Sequence, residues 1–389
     1  MDGERSGYGS VETLLAAKEI LITCGAGGVG KTTVAAALAT MAAVRHGGKV
    51  LVLTIDPARR LADALGLDGF GDKEKQVSPD AFRAAGVMPR GELWAAMLDT
   101  KQSWDDLVRR HAPNRRTADR ILCNKLYDNV TGRFVQSHEY IAMERLYQLH
   151  RDGSYDLIVV DTPPTRNALD FVEAPVRMAE FFSSRFLRIL SAPYRSNVVS
   201  FASRPFLSAA DRILGSAFLQ DIAEFFSLFQ TMAPGFVERA EAVNRVLHEK
   251  RTSFAVVTTL EAAPVREAEY FIDVLTTKKF HLGAVVLNKV LPSYLLDEKA
   301  ARTATTLEKG ADRVAAAVGE GAGDVAQVER VLTEVAESFL RFQVVAQRES
   351  EQRAELSVGA GVVATVPFFD TDIHDLAGLL RLGEQLWST

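Results

Sequence analysis

The sequence predicts an α/β protein: a mostly parallel sheet covered by helices on both faces, with helical segments inserted between its strands. Three observations carry that expectation. Short apolar runs recur along the 389 residues, most of them followed by a helical pattern. One of them, Leu157-Ile158-Val159-Val160, is apolar without a break, as suits a strand buried on both sides. Between the strand–helix units lie stretches too long to be connections and helical in their own right.

Taken in order, the expected strands are Glu19–Thr23, Lys49–Ile55, Glu92–Leu98, Asp156–Asp161, Ser253–Thr259, Leu282–Asn288 and Gly361–Val366. The expected insertions are residues 103–148, 171–246 and 297–356, the last rich in Ala, Glu and Arg and broken at Gly319–Gly323. No repeat or Pro-rich linker divides the chain, so one elaborated domain over 15–389 is expected. In such sheets the ligand site is built from loops at the carboxyl ends of the strands.

Composition excludes several classes. With 47% hydrophobic and 24% charged residues the chain is globular and long enough for a large core. A net charge of −5 gives no bulk attraction for nucleic acid, and no such partner is expected. Cys24 and Cys123 alone cannot build a disulfide framework, a cysteine zinc site or a cluster within one chain, which points to the cytoplasm. Met1 to Ser10 is polar and Gly-rich, a lead-in rather than a signal peptide. No apolar run is long enough to span a bilayer, so any membrane contact is expected to be peripheral.

The strongest local signal is Gly25-Ala26-Gly27-Gly28-Val29-Gly30-Lys31-Thr32-Thr33, placed between an apolar run and an Ala-rich helical run. This is the G-x-x-x-x-G-K-[ST] pattern in its required strand–loop–helix setting. Backbone N–H groups surround a phosphate chain only where no Cβ blocks the approach, hence the glycines. The helix that follows adds free N–H groups and the positive end of its dipole. Gly27, Gly28, Val29, Gly30, Lys31, Thr32 and Thr33 are therefore expected to hold the phosphates of ATP. Lys31 reaches the β- and γ-phosphates, and the Thr32 hydroxyl ligates Mg²⁺.

Other residues at strand ends join this constellation. Asp56, in Ile55-Asp56-Pro57-Ala58, is placed either to orient an attacking water or to cap the helix beginning at Pro57. Asp161 ends a buried strand, where a carboxylate holds the waters of Mg²⁺ or caps a turn. The following Thr162-Pro163-Pro164-Thr165 has the place of a nucleotide-ordered switch. Asn288-Lys289 offers an amide to read a purine edge and a lysine stem to pack on the ring, or simply a turn after a strand. His138-Glu139 lacks the second histidine of a metal helix, because position 142 is Ala.

A second anomaly is aromatic. Eleven of the 21 Phe lie between Phe171 and Phe236, about a sixth of the chain. Met178, Phe181, Phe182, Phe186, Ile189 and Leu190 fall on one helical stripe, and Phe218, Ile222, Phe225, Phe226, Phe229 and Met232 on another. Such stripes either pack against the protein itself or form a groove for an apolar helix or lipid-like client.

Together, the glycine loop, Asp56-Pro57-Ala58 and Asp161-Thr162-Pro163-Pro164-Thr165 resemble the deviant-P-loop ATPases, within them most closely the arsenical-pump-driving and tail-anchored-protein targeting ATPases. The resemblance extends to Thr259-Leu260-Glu261 through Glu269, Asn288 and Val366-Pro367-Phe368. It implies a P-loop NTPase fold and a nucleotide-dependent dimer with ATP and Mg²⁺ at the interface. It also implies that Lys31 and Thr32 bind phosphate and metal, Asp56 positions water, Asp161 serves the second switch, Asn288 contacts adenine, and Pro367 lies in a nucleotide-pocket segment. The Phe-rich insertion stands where targeting members carry client-binding helices.

Departures from the family pattern bear on function. Family loops carry a second lysine after their first glycine, where this chain has Ala26; its loss is expected to slow hydrolysis. Either the site is slow, or a related subunit completes it in a heterodimer, or an arginine such as Arg59, Arg60 or Arg166 substitutes. The metalloid-binding cysteines and the zinc-clamping cysteine pair have no counterpart. The leading expectation is an ATPase that dimerises and couples nucleotide state to a hydrophobic or membrane-directed client. The alternatives are a regulatory ATP-binding subunit and, further off, a positioning or partitioning ATPase.

Overall fold

The computed structural model describes residues 9–55, 60–67, 73–124, 126–127, 137–163, 168–183, 216–318, 324–356 and 361–388. Its centre is one eight-stranded sheet formed by β1 (Ile20–Cys24), β2 (Lys49–Thr54), β3 (Lys75–Gln76), β4 (Glu92–Met97), β5 (Leu157–Asp161), β6 (Thr252–Thr258), β7 (Leu282–Val290) and β8 (Val362–Pro367). The spatial order is β3-β4-β2-β5-β1-β6-β7-β8. Every pairing is parallel except that of β3 with β4. The expected strands are present within a few residues. The two-residue β3 was not expected, being too short to show any periodicity.

Adjacent residues of each strand point to opposite faces, and each face has its own core. On one, Ile20, Ile22, Leu51, Leu53, Ile158 and Val160 pack beneath the helices Thr100–His111, Ser137–Arg151, Ala168–Ser183 and Ala233–His248. On the other, Leu21, Val50, Val52, Val159, Val257 and Val286 meet the helices Lys31–Arg45 and Leu376–Trp387. The Lys31–Arg45 helix buries Ala35, Ala36, Ala37, Ala39, Ala42 and Ala43, and these short side chains let its axis lie close to the sheet. The C-terminal helix approaches it closely at Gly383, where a Cβ would stand 2.2 Å from Met41 Cγ.

The described part of the Phe-rich insertion packs into the first of these cores. Phe225, Phe229 and Phe236 are buried, as is Phe182. Phe182 stacks on Phe236 with ring centroids 4.4 Å apart and on Phe229 at 5.2 Å, and Trp104 and Tyr140 close the cluster on Phe236. For Phe225 and Phe229 this decides against the groove and for packing within the chain: both rings are covered by other aromatic side chains of the same chain. Phe181 and Phe226 are half-buried at its margin. Phe186, Ile189 and Leu190 lie outside the described residues, and Phe218 sits in the helix Ser216–Gln230 with its side chain outside them.

The expected insertion 297–356 is a helical hairpin with arms Glu298–Val318 and Val325–Leu356. The arms pack through small residues, with Ala304, Ala311, Ala315, Ala336 and Ala346 buried. The first arm kinks at Gly310. At the hairpin's root, Glu349 Oε2 accepts a hydrogen bond from the Leu291 N–H at 3.0 Å, just beyond β7.

Candidate nucleotide site

β1 lies between β5 and β6, and its carboxyl end opens into the glycine loop and the helix that starts at Lys31. Two glycines of the loop are required by contact as well as by conformation. At Gly25, with φ +147°, a Cβ would fall 2.0 Å from the Val257 carbonyl oxygen. At Gly30, with φ +93°, it would fall 2.3 Å from Asn288 Nδ2. Gly30 is also the helix N-cap, and no side chain caps the helix there. Its first N–H groups therefore remain available to an anion, with the helix dipole behind them.

Lys31 is buried and curls back over its own loop, its Nζ donating to the Ala26 carbonyl at 2.7 Å. Ala26 is itself buried and supplies a carbonyl here, not a charge. Gly28, Gly30, Lys31, Thr32 and Thr33 line a cleft of about 630 Å³ that continues past Thr162, Asn288 and Lys289 to Pro367 and Phe368. The structure thus brings together Lys31, Thr32, Thr33, Asn288 and Pro367, which lie far apart in sequence.

Asn288 lines that cleft and also makes hydrogen bonds to the protein itself. Its Nδ2 donates to the Val29 carbonyl at 2.7 Å, and its Oδ1 accepts from the Lys289 N–H at 3.0 Å. The amide therefore props the back of the glycine loop. Lys289 adopts φ +59°, a left-handed conformation costly for a side-chain-bearing residue. The turn brings its Nζ to 3.5 Å from the Gly28 carbonyl. Among the described residues lining the cleft, Lys31 and Lys289 are its two lysines, and no arginine joins them.

Asp161 is fully buried at the end of β5, level with Thr23 on β1 and Thr54 on β2. Its Oδ2 accepts from the Thr54 hydroxyl at 2.9 Å. The next residue, Thr162, lines the cleft while its hydroxyl donates to the Thr23 carbonyl at 2.7 Å. Asp56 lies outside the described residues, as do Arg59 and Arg166; the side chain of Arg60 is likewise outside them. Ile55, which leads into Asp56, donates its N–H to the Asp161 carbonyl at 3.1 Å. His138 is in the helix Ser137–Arg151, its side chain outside those described. Cys24 is buried: burial pushes its thiol well above the usual range, against a smaller opposing pull from Lys31, and its Sγ donates to the Ala255 carbonyl.

Sequence reasoning missed the far wall of the cleft, where Asp63, Phe369, Asp372, Ile373 and His374 stand. They come from a short helix and from the connection after β8, neither of which carries a motif. The donor chemistry of the near wall suits a phosphate chain. Uncapped N–H groups and two lysines would meet its charge, and the Thr32 hydroxyl is a hard oxygen donor of the kind Mg²⁺ prefers, whereas Asp161 is buried behind Thr162 and does not line the cleft.

A mostly parallel sheet whose first strand feeds a glycine loop and a Lys-Thr helix start defines the P-loop NTPase fold. Comparison with known proteins narrows the class. A family model described as anion-transporting ATPase matches residues 18–315, well over half of the chain. The chain belongs to that family. Over 304 residues it is 25% identical to the putative arsenical pump-driving ATPase 1 of Aquifex aeolicus, covering 72% of this chain and 65% of that protein. Against ATPase ASNA1 homolog 2 of Paramecium tetraurelia the identity is 27%, covering 69% and 74% of the two chains. With ATPase get3 of Aspergillus terreus it is also 27%, covering 69% and 72%. Among the described residues, no helix is long and apolar enough to cross a membrane.

Proposed function

We propose that this chain binds ATP with Mg²⁺ in the cleft over the glycine loop and hydrolyses the γ-phosphate, acting as one nucleotide-binding domain over 15–389 in the cytoplasm. The observation that carries this reading is the convergence of the open helix N-terminus, Lys31, Thr32 and the Asn288 prop on one cleft. In this reading the backbone of Gly27 to Thr33 holds the phosphates, Lys31 leaves the Ala26 carbonyl for the β- and γ-phosphates, and Thr32 holds the metal. Magnesium when bound supplies charge neutralisation between the phosphates. Asp161 would hold the waters of the bound metal, Asp56 would position the attacking water, and Pro367, which lines the cleft, would border the base. Lys31→Ala tests the assignment. Loss of ATP binding with an intact fold supports it; wild-type affinity overturns it. Asp56→Asn at saturating ATP tests the chemistry: binding persists and turnover falls.

We further propose that the chain works as a dimer, either with itself or with a related ATPase subunit. Ala26 favours the second form, because it leaves the loop one charge short of its family pattern. In that case the chain is a regulatory, weakly hydrolysing half. Turnover measured alone and with the related subunit separates the two: a silent chain that gains activity only with its partner is half of a composite site. Coupling to a hydrophobic or membrane-directed client rests on the composition of 171–246. With Phe225 and Phe229 in the core, it now rests on Phe186, Phe201 and Phe206, which lie outside the described residues.

A further inference from the structure

The apolar surface of this protein is unevenly placed. Among the described residues, eight of the fourteen exposed large hydrophobic side chains belong to the hairpin 298–356. Within its second arm two apolar stripes run side by side. Leu332, Ala336, Phe339 and Ala346 are buried or half-buried, on the stripe that meets the first arm. One residue out of step, Val328, Val331, Val335, Ser338, Phe342 and Val345 recur at alternating spacings of three and four. That is the period of a two-helix seam. Val335 is 57% exposed and Phe342 53%, Val331 and Val345 are exposed as well, and only Val328 and Ser338 are half-buried. A surface helix with one apolar face needs a single stripe, and the two arms already pack on each other; the second stripe is without a partner among the described residues.

We infer that this seam pairs with the same seam of a second copy of this chain, the two arms running antiparallel about a two-fold axis. The charges beside the seam choose the occupant and the register. Glu334 and Arg341 each directly precede a seam residue and so flank it on the same side. In an antiparallel pair, such flanking positions of the two helices face each other. Setting Val335 against Ser338 of the second copy brings Glu334 opposite Arg341, and the two-fold axis makes that contact twice. The same register sets Val331 against Phe342 and Val328 against Val345, so the largest side chain meets a valine and the small Ser338 lies near the axis. Sliding the pair by one heptad would put Arg341 against Arg341. A parallel pair would face Glu334 with the stripe that contains Leu332 and Phe339, with no charge to answer it. One arrangement is thus favoured and its neighbours are disfavoured by the same two residues. The seam from residue 328 to 345 runs for about 26 Å, long enough for six layers of side chains.

This contact makes no use of the nucleotide site, and it is measured on the full chain without nucleotide. Sedimentation at micromolar concentrations is expected to give a dimer. Val335→Glu combined with Phe342→Glu is expected to give a monomer, with helix content by circular dichroism and ATP binding both unchanged. Glu334→Arg alone and Arg341→Glu alone are each expected to weaken the dimer about tenfold, and the two together to restore it. A wild-type chain that sediments as a monomer without nucleotide overturns the inference and leaves the seam to a different protein. A dimer indifferent to Val335→Glu and Phe342→Glu overturns it by placing the contact elsewhere. Failure of the exchanged pair to recover affinity overturns the antiparallel register.

Discussion

Asn288 and Val29 are 259 positions apart in sequence, yet the amide Nδ2 of one donates to the carbonyl of the other at 2.7 Å. The end of β7 thereby fixes the height of the glycine loop above the sheet. The same closeness makes Gly30 irreplaceable, since any side chain there would collide with the amide that supports the loop.

Asn288→Ala is expected to raise the dissociation constant for ATP about tenfold, roughly 1.4 kcal/mol, as the Val29 carbonyl loses its donor and the loop its support. Asn288→Asp is expected to do worse, because it turns an acceptor toward that carbonyl. Titration with a fluorescent ATP analogue measures both; an unchanged affinity in both variants contradicts the supporting role.

Phe229 is the second test. Its ring lies 5.2 Å from both Phe182 and Phe225 and is buried, so it belongs to the core and not to a client surface. Phe229→Ala is expected to cost about 3–5 kcal/mol of folding stability. Urea unfolding reads this directly, and a loss under about 1 kcal/mol returns the residue to the surface.

Glu349 gives a prediction about pH. Burial raises the pKa of its carboxyl and the nearby charge of Glu261 adds to this, while the hydrogen bond from Leu291 N–H opposes it. A carboxyl whose folded value is raised contributes stability that is complete below its unfolded pKa and is lost as pH rises through the folded value. Glu349→Gln keeps an acceptor for the Leu291 N–H without the buried charge. It is expected to be neutral or stabilising near pH 7 and to remove this part of the pH dependence. Unfolding midpoints from pH 4 to pH 8 measure it, and a variant destabilised at pH 7 contradicts it.

Much of the fold was legible because its signals are local. Ile20-Leu21-Ile22-Thr23, then glycines, then Lys31-Thr32 prescribe strand, loop and helix within a few residues, and Leu157 to Val160 declares its own burial. The rest depends on what covers what. The stripe through Phe225 and Phe229 and the stripe through Val335 and Phe342 have the same helical kind of period. One is sealed by Phe182, Trp104 and Phe236, whereas the other stands in solvent. Periodicity names a face but not its cover. The Asn288 prop was hidden for a related reason: its partner is a backbone carbonyl, which every residue carries and no motif records.

The root of the hairpin has a mechanical consequence. Glu349 is held to Leu291, three residues beyond the amide that supports the glycine loop, while the far end of the same helix at Val325 lies about 36 Å away along its axis. A helix fixed at one end is a lever. A tilt of about six degrees at the root, too small to break a hydrogen bond, sweeps its tip through about 4 Å. Movement at the strand end is thus magnified at the tip, and a load taken up near the tip acts with the greatest torque on the residues beside the phosphate loop.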